Sequence, residues 1–316
     1  MQKWGKTSLG KQRWHCVVCG LNQIIKREDL TTLHRKVLFN SWLTGNQTLS
    51  EISSRKKVVR KTLTRRFSTL WHKPFQAKLK VASGQYIYIV DGVYIHKRTC
   101  CVLIVMSPKG IVDWVFVEQE NVRAWVSLFK LLKPPLSVVC DGQKGLSKAT
   151  KLEWPNVRVQ RCLAHLLRSL RRYLTQTPKT KAGLSLLKLA KLLPTIWTRR
   201  QKRRWVRAYF KLFRRYNSLL KEKSYPTHLN STKSWWYTHR NLRSAYFTIK
   251  HCLPEMFTYV GHYEIPRTSN YVEGGINSRL KELVHRHRGL SVEKKKVLVN
   301  CFLTTKMIKK PTQNVP

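Results

Sequence analysis

Two apolar runs that each end in an acid and a glycine constrain this chain more than any other feature. Tyr86-Ile87-Tyr88-Ile89-Val90 leads into Asp91-Gly92, and the run from Leu136 to Cys140 leads into Asp141-Gly142. Short continuous apolar runs of this kind read as strands covered on both faces, the centre of an α/β sheet. A carboxylate placed directly after such a strand is costly unless it is ligated, paired or open to a cleft. The chain is therefore expected to fold around a sheet that presents two acids at strand ends.

The segments between and after these runs set the layout. Cys100 to Met106 reads as a second strand, Ser107-Pro108-Lys109-Gly110 as a turn and Asp113 to Val117 as a third strand. Asn121 to Leu132 has helical spacing through Val122, Trp125, Leu128, Phe129 and Leu132. A helix around Leu146 and a strand at Val157–Gln160 follow the second acid. The resulting β-β-β-α-β-α-β order matches a ribonuclease-H-like layout, a mixed sheet with helices on both faces. Its first and fourth strands lie side by side, which would bring Asp91 and Asp141 to one cleft at the strand ends.

Charge limits the partners. Lys and Arg total 62 against 15 Asp and Glu, a formal net charge of +47. So much like charge calls for a polyanion. The cations run through the whole chain rather than filling one low-complexity tail, and 42% of residues are hydrophobic, so this is a folding composition. The first residues, Met1-Gln2-Lys3-Trp4-Gly5, hold no apolar signal core, and no run is long enough to span a bilayer. The 8 Cys are not spaced as a secreted disulfide framework. A polyanion is the expected partner and a membrane the weaker reading, in an intracellular setting with reduced thiols; the helix-turn-helix pattern of residues 29–78 favours double-stranded DNA.

Ahead of the sheet, residues 1–28 carry Cys16-x2-Cys19-Gly20, the form of one zinc knuckle. Tetrahedral zinc takes four ligands, and His15 and His34 are poorly spaced to supply the other two. A partial zinc ribbon and a pair of half-buried thiols both remain open. Residues 29–78 read as a helix-turn-helix. One helix runs from His34 to Leu43, and a second, short one from Leu49 to Ser53 opens with the capping box Thr48-x-x-Glu51. A third, capped by Ser54, runs from Arg55 to about Trp71. Arg55, Lys56, Arg60, Lys61, Arg65 and Arg66 cover much of that helix, as major-groove insertion requires, although an ordinary solvated hairpin has the same pattern. A linker begins at His72-Lys73-Pro74.

The catalytic core is assigned to 79–175 and 263–316, interrupted by a basic helical insertion at 176–262. Within 178–262 there are 19 Lys or Arg and 2 Glu. A third acid for the pair is less determined by spacing. Glu273 opens a helix that runs from Asn270 to about His287, but Asn270-x-x-Glu273 is also a capping box. Asp113, Glu118 and Glu120 compete with it. Three carboxylates would suit hard cations such as Mg²⁺ or Mn²⁺, which cut phosphodiesters in pairs about 3.5–4 Å apart.

The order of short motifs resembles DDE transposases of bacterial insertion sequences, in the Mutator-like branch, over nearly the whole chain. It rests on Ile89-Val90-Asp91-Gly92, on Cys140-Asp141-Gly142-Gln143-Lys144-Gly145 and on Arg161-Cys162-Leu163-Ala164-His165. It continues through Trp236 to Tyr246 and closes with Ser269-Asn270-x-x-Glu273-Gly274 and Arg288-Gly289-Leu290-Ser291. The resemblance implies a metal-binding triad of Asp91, Asp141 and Glu273, a signature pair of Cys162 and His165 that shapes the cleft, and action on terminal inverted repeats by cleavage and strand transfer. It implies a homodimer or larger assembly on DNA in the bacterial cytoplasm, at the nucleoid. Trp235 or Trp236 would stack on a displaced base, with His239, Arg240 and Arg243 on phosphates nearby; a core role for either Trp fits as well. Relatives begin with two Cys pairs where this chain has one, which implies a late start or a shortened copy and makes Zn²⁺ doubtful. A decayed or repurposed DNA-binding protein, and a nuclease acting on RNA–DNA hybrids, are the competing readings.

Overall fold

The computed structural model describes residues 1–8, 10–24, 28–45, 47–71, 86–96, 99–226, 234–269 and 273–307, with 28–31, 273 and 274 described by backbone alone. The chain divides into two compact units, Met1–Gln76 and Ala77–Pro316. The expected linker at 72–74 and the cap at Asn270 lie outside the described residues.

The first unit opens with three short antiparallel strands, β1 (Gln2–Lys6), β2 (Gln12–His15) and β3 (Asn22–Gln23). Three helices follow: α1 (Glu28–Thr44), α2 (Leu49–Lys56) and α3 (Arg60–Ser68). Phe39, Trp42 and Leu43 of α1 bury themselves with Ile52, Leu63 and Phe67, and the Trp42 and Phe67 rings stack at 5.5 Å. The capping box forms: Thr48 Oγ1 accepts from Glu51 N, and Glu51 Oε2 accepts from Thr48 N.

The turn between the two short helices falls later than the spacing predicts. Helix α2 runs through Arg55 to Lys56, and the basic stretch is broken at Lys57, which adopts a left-handed conformation with φ +50°. The N–H of Lys57 bonds back to Ser54 O, the N–H of Val58 bonds back to Ser53 O, and Ser53 Oγ donates to Val58 O at 2.6 Å. This closure satisfies the last carbonyls of α2, so helix does not continue through Val58-Val59. Periodicity cannot register such a break, because Val58, Val59 and Leu63 still fit one apolar face.

The second unit holds a five-stranded mixed sheet in the order β6-β5-β4-β7-β8. Strands β4 (Ile87–His96), β5 (Cys100–Ser107) and β6 (Gly110–Val117) pair antiparallel. After helix α4 (Val122–Phe129), β7 (Ser137–Cys140) joins β4 in parallel; after α5 (Lys144–Glu153), β8 (Arg158–Arg161) joins β7 in parallel. Every residue of β5 is buried, as a strand covered on both faces must be. Tyr88, Val90, Leu103 and Val105 pack on Trp125, Phe129, Leu146 and Trp154 from α4 and α5.

A helical region follows: α6 (Leu163–Leu174), α7 (Lys181–Lys191), α8 (Arg199–Arg215), α9 (Asn217–Lys221) and α10 (Arg240–Met256). Between the last two, β9 (Lys223–Ser224) and β10 (Trp236–Tyr237) form a two-residue ladder. The core of this region is aromatic, and its polar tips are satisfied by backbone carbonyls. Trp205 Nε1 donates to Leu189 O, Tyr209 Oη to Tyr246 O and Tyr259 Oη to Ile196 O, each at 2.8 Å. The chain then returns to the sheet. A π-helical turn, Glu273–Asn277, leads into α11 (Ser278–Arg286), and α12 (Val292–Thr305) follows. Both helices contact β4, and α12 also reaches β6, where Asn300 Oδ1 accepts from Trp114 Nε1 at 2.9 Å.

Candidate active site

Strand register brings the first two acids together. β4 and β7 pair from Ile87↔Ser137 to Ile89↔Val139, and two residues further along each strand stand Asp91 and Asp141. The chains diverge at this point: Asp91 stays paired with Ile104 of β5, while Cys140 is the last residue of β7. Asp91 Oδ1 accepts from the Gly92 N–H at 2.9 Å, and its Oδ2 accepts from Asn277 Nδ2. Asp141 Oδ1 accepts from the Gln143 N–H at 2.8 Å.

The two glycines make room for charged side chains. A Cβ on Gly92 would lie 2.6 Å from the Glu120 carboxylate. A Cβ on Gly142 would coincide with the Arg161 guanidinium, whose Nη1 donates to Asp141 O at 2.9 Å and whose Nη2 pairs with Glu255 at 3.2 Å. Gly142 also has φ +82°, a conformation that favours glycine.

Of the acids that compete for the third position, Glu120 is the one at the site. Burial pushes its carboxyl up to about 7, and the charges of Asp141 and Asp91 push the same way, against a hydrogen bond from Trp125 Nε1. Asp113 is buried on β6, two strands from Asp91, and burial raises it to about 6. Glu118 is exposed. Glu273 opens the π-helical turn whose last residue, Asn277, bonds Asp91. Its side chain lies outside the described residues. Among the described residues, no three His, Cys, Asp or Glu side chains are grouped closely enough to hold a metal ion. Asp91 and Asp141 offer carboxylate oxygens, the donor type a hard divalent cation takes, and a cation there would offset the share of the Glu120 shift that comes from their charges.

Cys162 and His165 fasten the chain behind these acids. The Cys162 N–H donates to Cys140 O at 2.8 Å, and the Leu163 N–H donates to Arg267 O at 3.0 Å. The Cys162 sulfur accepts from Ser269 N at 3.3 Å and from Ser269 Oγ at 3.1 Å. Burial alone would raise this thiol, but hydrogen bonds from His165 and Ser269 outweigh it and hold it below the usual range. One residue thus ties the strand that carries Asp141 to the segment that leads to Glu273.

The other predicted residues lie elsewhere. In the helical region Trp235 is exposed and Trp236 half-buried; Lys223 Nζ sits 4.0 Å over the Trp235 ring, and Tyr237 packs edge-on to it at 5.1 Å. Arg243 lies over Tyr237 at 3.9 Å and Phe247 at 4.4 Å and donates to Leu220 O, so its guanidinium is largely engaged. His239 pairs with Glu222 at 3.2 Å, and Arg240 is exposed. In the first unit Arg55, Lys56, Arg60, Lys61 and Arg65 are all exposed on α2 and α3. Cys16 and Cys19 sit in the turn between β2 and β3, where His15 Nδ1 bonds Asn22.

Sequence reasoning missed Asn277 and Arg161. Asn277 stands four residues after Glu273, one helical turn on, and Arg161 opens the motif that holds Cys162 and His165, where it was given no role of its own.

A family model described as "Transposase, Mutator family" matches residues 58–239. A protein of Corynebacterium diphtheriae described as "Probable transposase for insertion sequence element" is 30% identical over 98 residues, 28% of this chain and 28% of that protein. The match therefore spans under a third of that relative's length.

Proposed function

The chain belongs to the Mutator family of transposases, and on that premise we propose that it binds the terminal inverted repeats of an insertion sequence and catalyses DNA strand cleavage and strand transfer. The observation that carries this reading is that Asp91 and Asp141 each stand two residues beyond the last β4–β7 pair, Ile89↔Val139, and that the charges of both act on the Glu120 carboxyl. The sheet order, three antiparallel strands followed by two parallel ones, supports a ribonuclease-H-like core. The exposed cations of α2 and α3 support a helix-turn-helix head, and the net charge supports a DNA partner.

Asp91, Asp141 and Glu273 would hold Mg²⁺ or Mn²⁺. Bound there, the ions supply an activated nucleophile and stabilise the leaving oxyanion of phosphodiester transfer. The protein's own work is orientation. Asn277 holds one oxygen of Asp91, Gln143 N–H holds one of Asp141, and Arg161 anchors the turn after Asp141. Cys162 and Ser269 hold the third acid's segment against that turn. Cys16 and Cys19 supply two thiols toward zinc, half a tetrahedral set. Holding two element ends calls for a dimer or larger assembly on DNA, and the setting would be the bacterial cytoplasm. Among the described residues, no helix is long and apolar enough to cross a membrane.

The test is a cleavage assay with Mg²⁺ on DNA that carries the gene's own flanks. Wild type should nick at the repeat ends, while Asp91→Asn and Glu273→Gln, still folded and still binding, should not. Binding without cutting by the wild type would replace the enzyme with a repurposed DNA-binding protein. Cutting with no preference for the ends would replace it with a nuclease.

A further inference from the structure

A basic pocket of about 360 Å³ lies between β4 and the two last helices. Val93 and Ile95 form its floor; Lys281, His285, Arg288 and Lys295 stand around it, and none of its lining residues is acidic. Lys295 is 7% exposed, and no acid partners it among the described residues. Its ammonium is not among the fully enclosed polar atoms that lack a partner, so the stem is packed while the head keeps access to the pocket it lines. The acids closest in sequence are already engaged elsewhere: Glu282 with Arg286 at 2.7 Å and Glu293 with Lys296 at 2.9 Å.

The position of the pocket relates it to the candidate active site. Side chains alternate along a strand, so Val93 shares the face of β4 that Asp91 occupies, and Ile95, at an irregularity in the ladder, is buried as Val93 is while Tyr94 between them is exposed. Asn277 reaches Asp91, Lys281 and His285 follow it at helical spacing on one side of α11, and Arg288 stands in the turn after that helix. Helix and strand therefore run together from Asp91 to the pocket. Val93 and Ile95 stand roughly 7 and 13 Å from Asp91 along the strand. Measured along a duplex axis, where one strand rises about 3.4 Å per phosphate, that distance is a few nucleotides.

We propose that this pocket is a backbone-phosphate subsite, which receives a phosphodiester of the DNA strand a few nucleotides from the one held at Asp91 and Asp141. Lys295 is its inner contact and Lys281 and Arg288 its outer ones. The reading rests on the proposed action on DNA. It adds a sequence-independent grip that fixes the strand's path without reading bases.

Fluorescence anisotropy of the full chain on a duplex carrying the gene's flanks, over a salt series without divalent metal, tests it. Lys295→Met keeps the side chain's length and removes its charge; Arg288→Gln removes an exposed charge and guards against loss of folding in the first variant. Lys188→Gln, an exposed charge on α7, is the control. Each pocket variant should lower the log–log salt slope by about 0.9 and weaken binding about five- to tenfold near 0.1 M salt, with the control unchanged. If Lys295→Met and Arg288→Gln fold and keep the wild-type slope, the subsite is overturned while DNA binding stands. Wild type that fails to bind the duplex overturns the proposed function and the subsite with it. An arm with inorganic phosphate separates the sources: Lys295-dependent thermal stabilisation by phosphate, with no change in DNA slope, makes the pocket a small-anion site and also overturns the subsite.

Discussion

The guanidinium of Arg161 occupies the space over Gly142 in which any side chain would begin, with its Nη1 0.7 Å from the position of a Cβ. Gly142→Ala must therefore displace Arg161 from Asp141 O and Glu255, and must also hold a left-handed backbone. Left-handed strain costs about 1–2 kcal/mol and overpacking about 1–3 kcal/mol. Urea denaturation should show a loss of about 2–4 kcal/mol. Gly92→Ala should cost less, because its backbone is ordinary and only the flexible end of Glu120 must move. Equal losses at the two positions would remove the strain argument.

The Cys162 sulfur accepts two hydrogen bonds from Ser269, which is 2% exposed. Cys162→Ala removes the acceptor that both donors use, at about 1–3 kcal/mol. Ser269→Ala leaves one bond in place and should cost less. A double-mutant cycle should give a coupling of at least about 0.5 kcal/mol, since the two are in contact. Additive losses would mean that the sulfur merely fills space.

What could be read in the sequence was the apolar frame and the acids it exposes. Five-residue apolar runs ending in Asp-Gly announced β4 and β7, and the runs between them announced β5, β6 and α4. The Asp-Gly pairs were visible, but the reason for the glycines was not, since Glu120 and Arg161 approach them from other elements. The choice of acids was legible only in part. Three acids on β6 and just after it had similar surroundings in sequence, and only the fold distinguishes Glu120, over Gly92, from Asp113 and Glu118. In the first unit the capping box marked the start of α2 correctly, whereas its end depends on Ser53 bonding Val58, which no periodicity records. Of the aromatic residues in the helical region, Trp205, Tyr209 and Tyr246 turned out to be core, and spacing alone gave no means of separating them from Trp235.

Asp113 offers a pH test away from the site. Burial raises it from 3.8 to about 6 in the folded chain. Between those values the folded state binds more protons than the unfolded one, so stability falls as pH rises through the window. Below about pH 4 the group contributes no penalty, and above about pH 6 the whole penalty is present, at most about 3 kcal/mol. Asp113→Asn should therefore be more stable than wild type at pH 7 and should match it near pH 3.5, by thermal denaturation. A variant less stable than wild type at both pH values would mean that the carboxylate is paired rather than merely buried.

Divalent metal should bind the folded chain and stabilise it. At a concentration 100-fold above Kd, Mg²⁺ adds about 2.7 kcal/mol by mass action. Calorimetry should detect that binding in wild type and lose it in Asp91→Asn and Asp141→Asn, whose neutral amides are poor ligands for a hard cation. Glu273→Gln should weaken it as well. Unchanged binding in Asp91→Asn would place the ion elsewhere.

Trp235 is exposed on a positive surface, beside Lys223, whereas Trp236 is half-buried in its two-residue ladder. Stacking on an unpaired base requires such an exposed ring in a basic setting. Trp235→Ala should lose little stability, under about 1 kcal/mol, because it gives up one cation–π contact and no core packing. The same change should weaken binding to a flank duplex with an unpaired base at the repeat end by about 1–3 kcal/mol, and leave binding to the fully paired duplex unchanged. An equal loss on both duplexes would mean that the ring only supports Lys223 on the phosphates. A large loss of stability would place Trp235 in the core, and the stacking role would fall with it.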